Sequence, residues 1–502
     1  MNILSLGYLM FLIAGGIIYY LLPSKSRWKW LIVLSFLFVF SSSAVSSIFI
    51  IATSVCAYIS AKKIAATDNP KKKKRLLLSS LVFCVGILVV LKYISDLNIF
   101  QHTILFDDKS ITIQSFIKKY LLPIGISYYT LQVISYILDV YWERIEPEKS
   151  YLKILLFTCY FPQMVQGPIS KYSELAPELF KEHKLDWHNI KFGVQLMLWG
   201  FFKKMVIADP VGIYVNKIFY NDKMPYGLVT LVGLILYGIQ LYSDFSGGID
   251  IIRGTSKCFD IGMKDNFRQP YFSLSLGEFW RRWHISLGEW MKDYVFFPIN
   301  ISEWMGKIKK YTKKHASRKT ATNVGSAVGN IVVFTLVGIW HGTGTNFLGW
   351  GLYNGIILAV SALLVDKYAL WKKKLNINIQ SMAWKSFCLL RTLIIITVGW
   401  VFDCAPSMTK AGQLFMSLFY VQKTDLSMIA TRMSDIFYIM MFLCACIILL
   451  VVDIMHEKDI CIREKMNTKG YWIQVIFWTV LIQLIVFGLR FGMEGGFMYE
   501  NF

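Results

Sequence analysis

Charge is scarce in this chain, and acidic charge is scarcest: only 17% of the 502 residues are charged, with 32 Asp and Glu against 53 Lys and Arg. Soluble domains carry roughly 25% charged residues, so a water-soluble globular protein is excluded. There is no Walker-type phosphate loop and no dinucleotide fingerprint, which leaves ATP-driven transport without support. Internal repeats of the kind that build many transporters are not visible. The nine cysteines fall mostly inside apolar runs and lack metal-ligand spacing. Cys444 and Cys446, two apart, suit small buried residues better than ligands, and neither a metal site nor a disulfide framework is implied. No basic residue precedes the first apolar run and no small-residue cleavage site follows it, so a retained span is expected rather than a signal peptide.

What the chain has instead is apolar and aromatic residue, 55% hydrophobic and 16% aromatic, with a mean hydropathy of +0.48. A transmembrane helix needs about 20 mostly apolar residues. Runs of that kind occupy 3–22, 31–60, 76–94, 119–141, 151–168, 192–208, 227–245, 325–341, 346–365, 386–402, 434–453 and 471–490. They predict an all-α polytopic membrane protein, one membrane domain over 1–502, with about 11 to 13 transmembrane or re-entrant helices. The net charge of +21 lies in the loops, in Lys71–Arg75 and in Lys307, Lys309, Lys310, Lys313, Lys314, Arg318 and Lys319. The positive-inside rule places both blocks in the cytosol, so a nucleic-acid partner is not expected. Lys25, Arg27 and Lys29 after the first run favour an external N-terminus, with 96–112 facing outward.

Against this background two histidines stand out, His284 in Trp280-Arg281-Arg282-Trp283-His284 and His341 in Gly338-Ile339-Trp340-His341-Gly342. An ionisable ring at membrane depth is costly and marks a functional site by default, and imidazole is the side chain best suited to exchange protons near neutral pH. A continuous helix over 280–294 would put Trp280, Trp283, Leu287, Trp290, Met291 and Tyr294 on one face. His284 would lie inside that stripe, about 40° from Trp280. The run before His341 starts near Ala327, about 14 residues or roughly 21 Å of helix, short of the hydrocarbon thickness. His341 is therefore expected at a helix break within the membrane. A core histidine bonded between helices is the alternative for His341.

Two further stretches break the span-and-loop pattern, Pro123-Ile124-Gly125-Ile126-Ser127-Tyr128 and Tyr160-Phe161-Pro162-Gln163 through Gln166-Gly167-Pro168. Irregular backbone at membrane depth is tolerated only where protein or a water-filled cavity satisfies it. Broken helices around a cavity are expected, with surface loops as the alternative.

Together with Leu138-Asp139-Val140-Tyr141, Asp244-Phe245-Ser246-Gly247, Asn266-Phe267 and Glu278-Phe279, these motifs resemble the membrane-bound O-acyltransferase (MBOAT) family. The likeness is to its bacterial branch of alginate O-acetylation and teichoic-acid D-alanylation membrane proteins, and it runs over roughly residues 5–495, with the catalytic motifs in 115–365. It implies the family fold around a central pore, with His341 as the essential catalytic histidine and His284 as the second. Asp244, Asn266, Glu278, Trp283 and Trp340 are candidate pore-lining groups, each equally readable as structural. Position 248 is Gly where alginate-type relatives commonly have Tyr, which leaves the pore shape there open. The tail over 490–502 contains Phe497-Met498-Tyr499-Glu500-Asn501-Phe502, similar to a Phe-x-Tyr-x-x-Phe motif in related Gram-positive proteins and in the companion peptide of D-alanylation. That similarity implies Tyr499 as an acyl acceptor; a frayed terminus is the alternative.

The expected chemistry is transfer of an acetyl group from cytosolic acetyl-CoA, with no bound cofactor. Burial should keep His341 neutral as a general base. The acceptor would be an extracellular or cell-wall polysaccharide, reached through a secreted or membrane-anchored SGNH-type acetyltransferase at a bacterial plasma membrane. D-alanyl transfer from an acyl carrier, a lipid or protein acyltransferase, and a transporter or flippase are the alternatives.

Overall fold

The computed structural model describes residues 1–93, 103–106, 109–112, 123–220, 224–420, 436–488 and 496–498. Among these, eight helices are long and apolar enough to cross a membrane: Ser46–Ala65, Pro70–Tyr93, Gly227–Cys258, Arg318–His341, Thr345–Leu363, Met382–Cys404, Ile439–Glu457 and Tyr471–Gly488. Leu6–Leu21 is apolar but shorter. Apart from an antiparallel hairpin, Thr103–Phe106 with Lys109–Thr112, the regular structure described is helical. The all-α polytopic expectation is met. Some apolar runs proved to be two elements: 31–60 divides into Arg27–Phe40 and Ser46–Ala65.

The contacts group the chain into two compact units. The first comprises Met1–Phe201, Gly247–Lys264 and Glu494–Phe502. Its centre is the Ile126–Tyr141 helix, in which every residue from Ile126 to Val140 is buried. That helix starts where it does because Gly125 takes a left-handed conformation, φ 72°. A side chain there would strike the carbonyl oxygen of Met164, so the two irregular stretches meet backbone to backbone and only glycine fits. The run 151–168 is broken as expected, into Tyr151–Cys159 and the single turn Phe161–Met164. The backbone donor at the break is satisfied internally: Phe161 N–H donates to Ser35 Oγ at 3.1 Å. Such pairing is the condition for irregular backbone away from water.

The second unit comprises Phe202–Ser246 and Asp265–Met493. Arg318–His341 and Thr345–Leu363 form a tight helical pair within it. A Cβ at Gly338 would collide with the Phe347 carbonyl, and one at Gly351 with the Phe334 carbonyl. Small residues at those two places let the backbones approach closely, the usual device for helix pairing in lipid. Asn346 Nδ2 then donates to the carbonyls of Phe402 and Ala405 at 3.1 and 3.0 Å, tying the pair to the end of Met382–Cys404. Lipid-facing character is plainest in Tyr471–Gly488, where large apolar side chains such as Ile473, Ile476 and Val486 are more than half exposed.

Candidate active site

The site is best built from the backbone at Trp283–His284. The sequence predicts one amphipathic helix over 280–294, but the structure has two short ones, Leu276–Arg282 and Ile285–Met291, with His284 between them at φ 48°, ψ 53°. The reason is tertiary. The segment around Asn266 runs beside the turn and takes the hydrogen bonds that helix continuation would have used. Arg268 N–H donates to Arg282 O at 2.9 Å, and Ile285 N–H donates to Asn266 O at 3.0 Å. Ser286 N–H donates to Asn266 Oδ1 at 2.9 Å. Phe267 and Trp283 form an isolated bridge. Left-handed backbone is unusual for a residue with a Cβ and persists when its surroundings over-determine it.

This bend turns the His284 ring inward. It is 4% exposed, edge-on to Phe245 with centroids 4.8 Å apart, and 6.3 Å from the Trp340 ring. The Asn266 amide lies against the imidazole, with Nδ2 3.2 Å and Oδ1 3.4 Å from Nδ1, and Oδ1 also accepts from Ser286 N–H at 2.9 Å. With Oδ1 already accepting from Ser286 N–H and the Nδ2 contact the shorter of the two, we assign Asn266 as the donor to Nδ1, which puts the proton of the neutral ring on Nε2. Nε2 is buried with no partner among the described residues. The segment is not one of the span-length helices, and burial pushes the His284 pKa down to about 3, so the ring stays neutral. His284 thus presents an unused donor in a dry site.

His341 is the last residue of Arg318–His341, and Gly342 that follows is extended, φ −173°, ψ 171°. The expected helix break after His341 is therefore present. The helix is not short of the hydrocarbon thickness as its apolar run suggests, because it begins at Arg318 and has 24 residues, about 36 Å at 1.5 Å per residue. Its polar first turns escape a hydropathy reading. The close pairing at Gly338 and Gly351 holds the His341 ring, 8% exposed, against Trp350 with centroids 5.1 Å apart and against Trp340 at 5.3 Å. Trp340 thus contacts both imidazoles.

The remaining candidates divide clearly. Asn266 and Trp340 join the histidines. Trp283 is packed among Phe267, Phe279 and Trp400, with centroids 5.1 to 5.6 Å away. Glu278 closes the first turn of its helix: it accepts from Leu274 N–H at 3.0 Å and pairs with Arg282 at 2.7 Å, while Ser275 Oγ accepts from Glu278 N–H. That is a capping arrangement. Asp244 is buried in an ion pair with Lys204 at 2.6 Å, and Lys204 also reaches Asp209 at 2.8 Å. Tyr499 lies outside the described residues.

Sequence reading missed Lys203, Lys204, Asp209 and Trp350. The two lysines are buried, and Lys203 donates to Ser246 Oγ at 2.9 Å. Their signal was available: adjacent lysines inside the apolar run 192–208 are as anomalous as the histidines. Trp350 carried no such signal.

A family model, membrane-bound O-acyltransferase, matches residues 107–398. The chain is 30% identical over 364 residues to a probable alginate O-acetylase of Pseudomonas syringae pv. tomato, covering 72% of this chain and 64% of that protein. It is 28% identical over 406 residues to the peptidoglycan O-acetyltransferase of Helicobacter pylori, 75% of this chain and 71% of the relative. Against the teichoic acid D-alanyltransferase of Bacillus subtilis it is 27% identical over 307 residues, 58% of this chain and 69% of the relative. It thus spans somewhat under two thirds of the length of the alginate O-acetylase it matches. With the match covering more than half its length and both signature histidines meeting at Trp340, this chain belongs to the membrane-bound O-acyltransferase family.

Proposed function

We propose that this protein is an O-acyltransferase that takes an acetyl group from acetyl-CoA on the cytosolic side of a bacterial plasma membrane for O-acetylation of an extracellular or cell-wall polysaccharide. The observation that carries it is the shared indole: Trp340 contacts a neutral, donor-bearing His284 and the buried His341. An acyl transfer needs both a base for the attacking hydroxyl and a donor for the charge that develops on the carbonyl oxygen. In this reading His341 removes the hydroxyl proton as the oxygen attacks the thioester carbonyl. The His284 Nε2–H stabilises the developing oxyanion. The carbon–sulfur bond then breaks, and the departing thiolate takes the proton back from His341, leaving the enzyme unchanged.

The relatives' names support the class and differ in the group moved, acetyl in two and D-alanyl in one. We assign acetyl because the acetyltransferases cover more of this chain than the D-alanyltransferase does. The acceptor hydroxyl is that of Tyr499, which hands the group to an SGNH-type transferase outside the cell; the lysine distribution favours an external N-terminus and a cytosolic basic helix Glu303–His315. The test is acetylation of the surface polymer in cells carrying single variants. His341→Ala should abolish it while the protein still inserts, a loss of about 10² to 10⁴ from a missing base. Retained activity would remove His341 from the reaction. Surface acetylation that survives Tyr499→Phe would remove the tyrosine relay and leave the transfer direct.

A further inference from the structure

One feature of the first unit is not used by the reaction above. Gly248 lies on Gly227–Cys258, and a Cβ built on it would collide with the side-chain amide of Gln166 and stand 3.0 Å from the Phe497 ring. Phe497 is 3% exposed and Gln166 is fully buried. The neighbouring glycine has a different task, since Gly200 packs against the Gly247 carbonyl and holds the Trp187–Phe201 helix close. Gly248 is therefore not needed for that crossing. Its missing side chain leaves a slot, which the Gln166 amide enters most deeply and the Phe497 ring lines. The Gln166 amide beside the slot has no hydrogen-bond partner for either polar atom among the described residues. Leaving a buried amide unpaired costs roughly 1–3 kcal/mol, which marks a place where another group arrives.

We propose that Gly248 and Gln166 form a seat for Phe497, and that this seat is the positioning device that docks the tail and so fixes where Tyr499, two residues on, is carried. Position 248 is then the specificity-determining position: a glycine admits the chain's own tail, and a bulky residue closes the slot. The functional half rests on the tyrosine relay proposed above; the docking half stands without it.

The experiment is timed chymotrypsin digestion of the full-length protein in detergent, followed by intact mass. The readout is loss of the residues beyond Phe497 or Tyr499. Cleavage tracks the population of the open tail. In the wild type the seated ring protects these bonds. Gly248→Tyr fills the slot and should speed release by about ten- to a hundred-fold, the worth of burying one phenylalanine ring. Phe497→Ala, which leaves Gly248 and Gln166 unchanged, should do the same through cleavage after Tyr499. Phe497→Leu should keep much of the protection. Equal release rates in wild type, Gly248→Tyr and Phe497→Ala would overturn the proposal. Tyr499→Phe separates the two readings: it should leave protection unchanged and stop acetylation. If acetylation continues while protection still depends on Gly248, the relay falls and the seat stands.

Discussion

The indole of Trp340 contacts His284, with ring centroids 6.3 Å apart, and also its own chain neighbour His341 at 5.3 Å. Two histidines, one at a bend between short helices and one at a helix end, are thereby fixed relative to one aromatic plane, in a unit where both are almost wholly excluded from solvent. Excluding water strengthens every electrostatic interaction inside, and a buried donor held ready costs no reorganisation when charge develops. The placement of His284 depends on Asn266, and the placement of His341 on the glycines of its helix pair.

The tautomer of His284 is the first consequence. With Asn266 donating to Nδ1, the imidazole ¹⁵N spectrum should show a bare Nδ1 and a protonated Nε2. Asn266→Asp offers only acceptors, so the proton should move to Nδ1 and acyl transfer should fall by about 10²-fold, the usual loss for one oxyanion donor. A wild-type spectrum with Nδ1 protonated would contradict the assignment.

Burial of His284 also sets a pH dependence. Its pKa is near 3 in the folded protein against 6.5 for the unperturbed ring. Between those values the unfolded chain binds the extra proton, so stability should be full above about pH 6.5 and fall as pH drops toward about 3. Thermal unfolding across that window in detergent measures the slope. His284→Asn, which tolerates the left-handed backbone, should flatten it; an unchanged slope would assign the effect to other groups.

The buried cluster at Lys204 should be costly to disturb. Lys204→Met leaves the carboxylates of Asp244 and Asp209 without their shared ammonium. Removing one partner of a buried pair typically destabilises by about 3–5 kcal/mol. Pairing it with Asp244→Asn should recover part of the lost thermal stability. No recovery would mean that the two charges are not coupled.

The helix pair that carries His341 should be intolerant of a single methyl group. In Gly338→Ala the new Cβ meets the backbone carbonyl of Phe347, which cannot swing aside as a side chain would. A loss of about 1–3 kcal/mol is expected from overpacking, with acylation falling as His341, one turn on, is displaced. Gly412→Ala, where nothing lies within 4 Å among the described residues, is the control and should leave both readouts unchanged.

Much of this protein was legible in its sequence, because lipid burial writes itself into composition. Apolar runs located the span-length helices, and the low charge content made His284 and His341 conspicuous. Proline and glycine marked the breaks at Gly125 and Tyr160, where the backbone departs from a helix and neighbouring groups satisfy it. The Trp-His motifs carried the family resemblance that the similarity to acyltransferases bears out. These are local properties, decided by each residue against lipid or its chain neighbours. The bend at His284 is not local: 280–294 has a sound helical pattern and is broken only because Asn266 supplies competing hydrogen bonds. The start of the His341 helix at polar Arg318, the capping role of Glu278 and the seat of Phe497 at Gly248 depend likewise on partners brought together by folding. Periodicity records which face of a segment is apolar; only tertiary packing decides which backbone donors are already taken, and that choice aims the His284 ring.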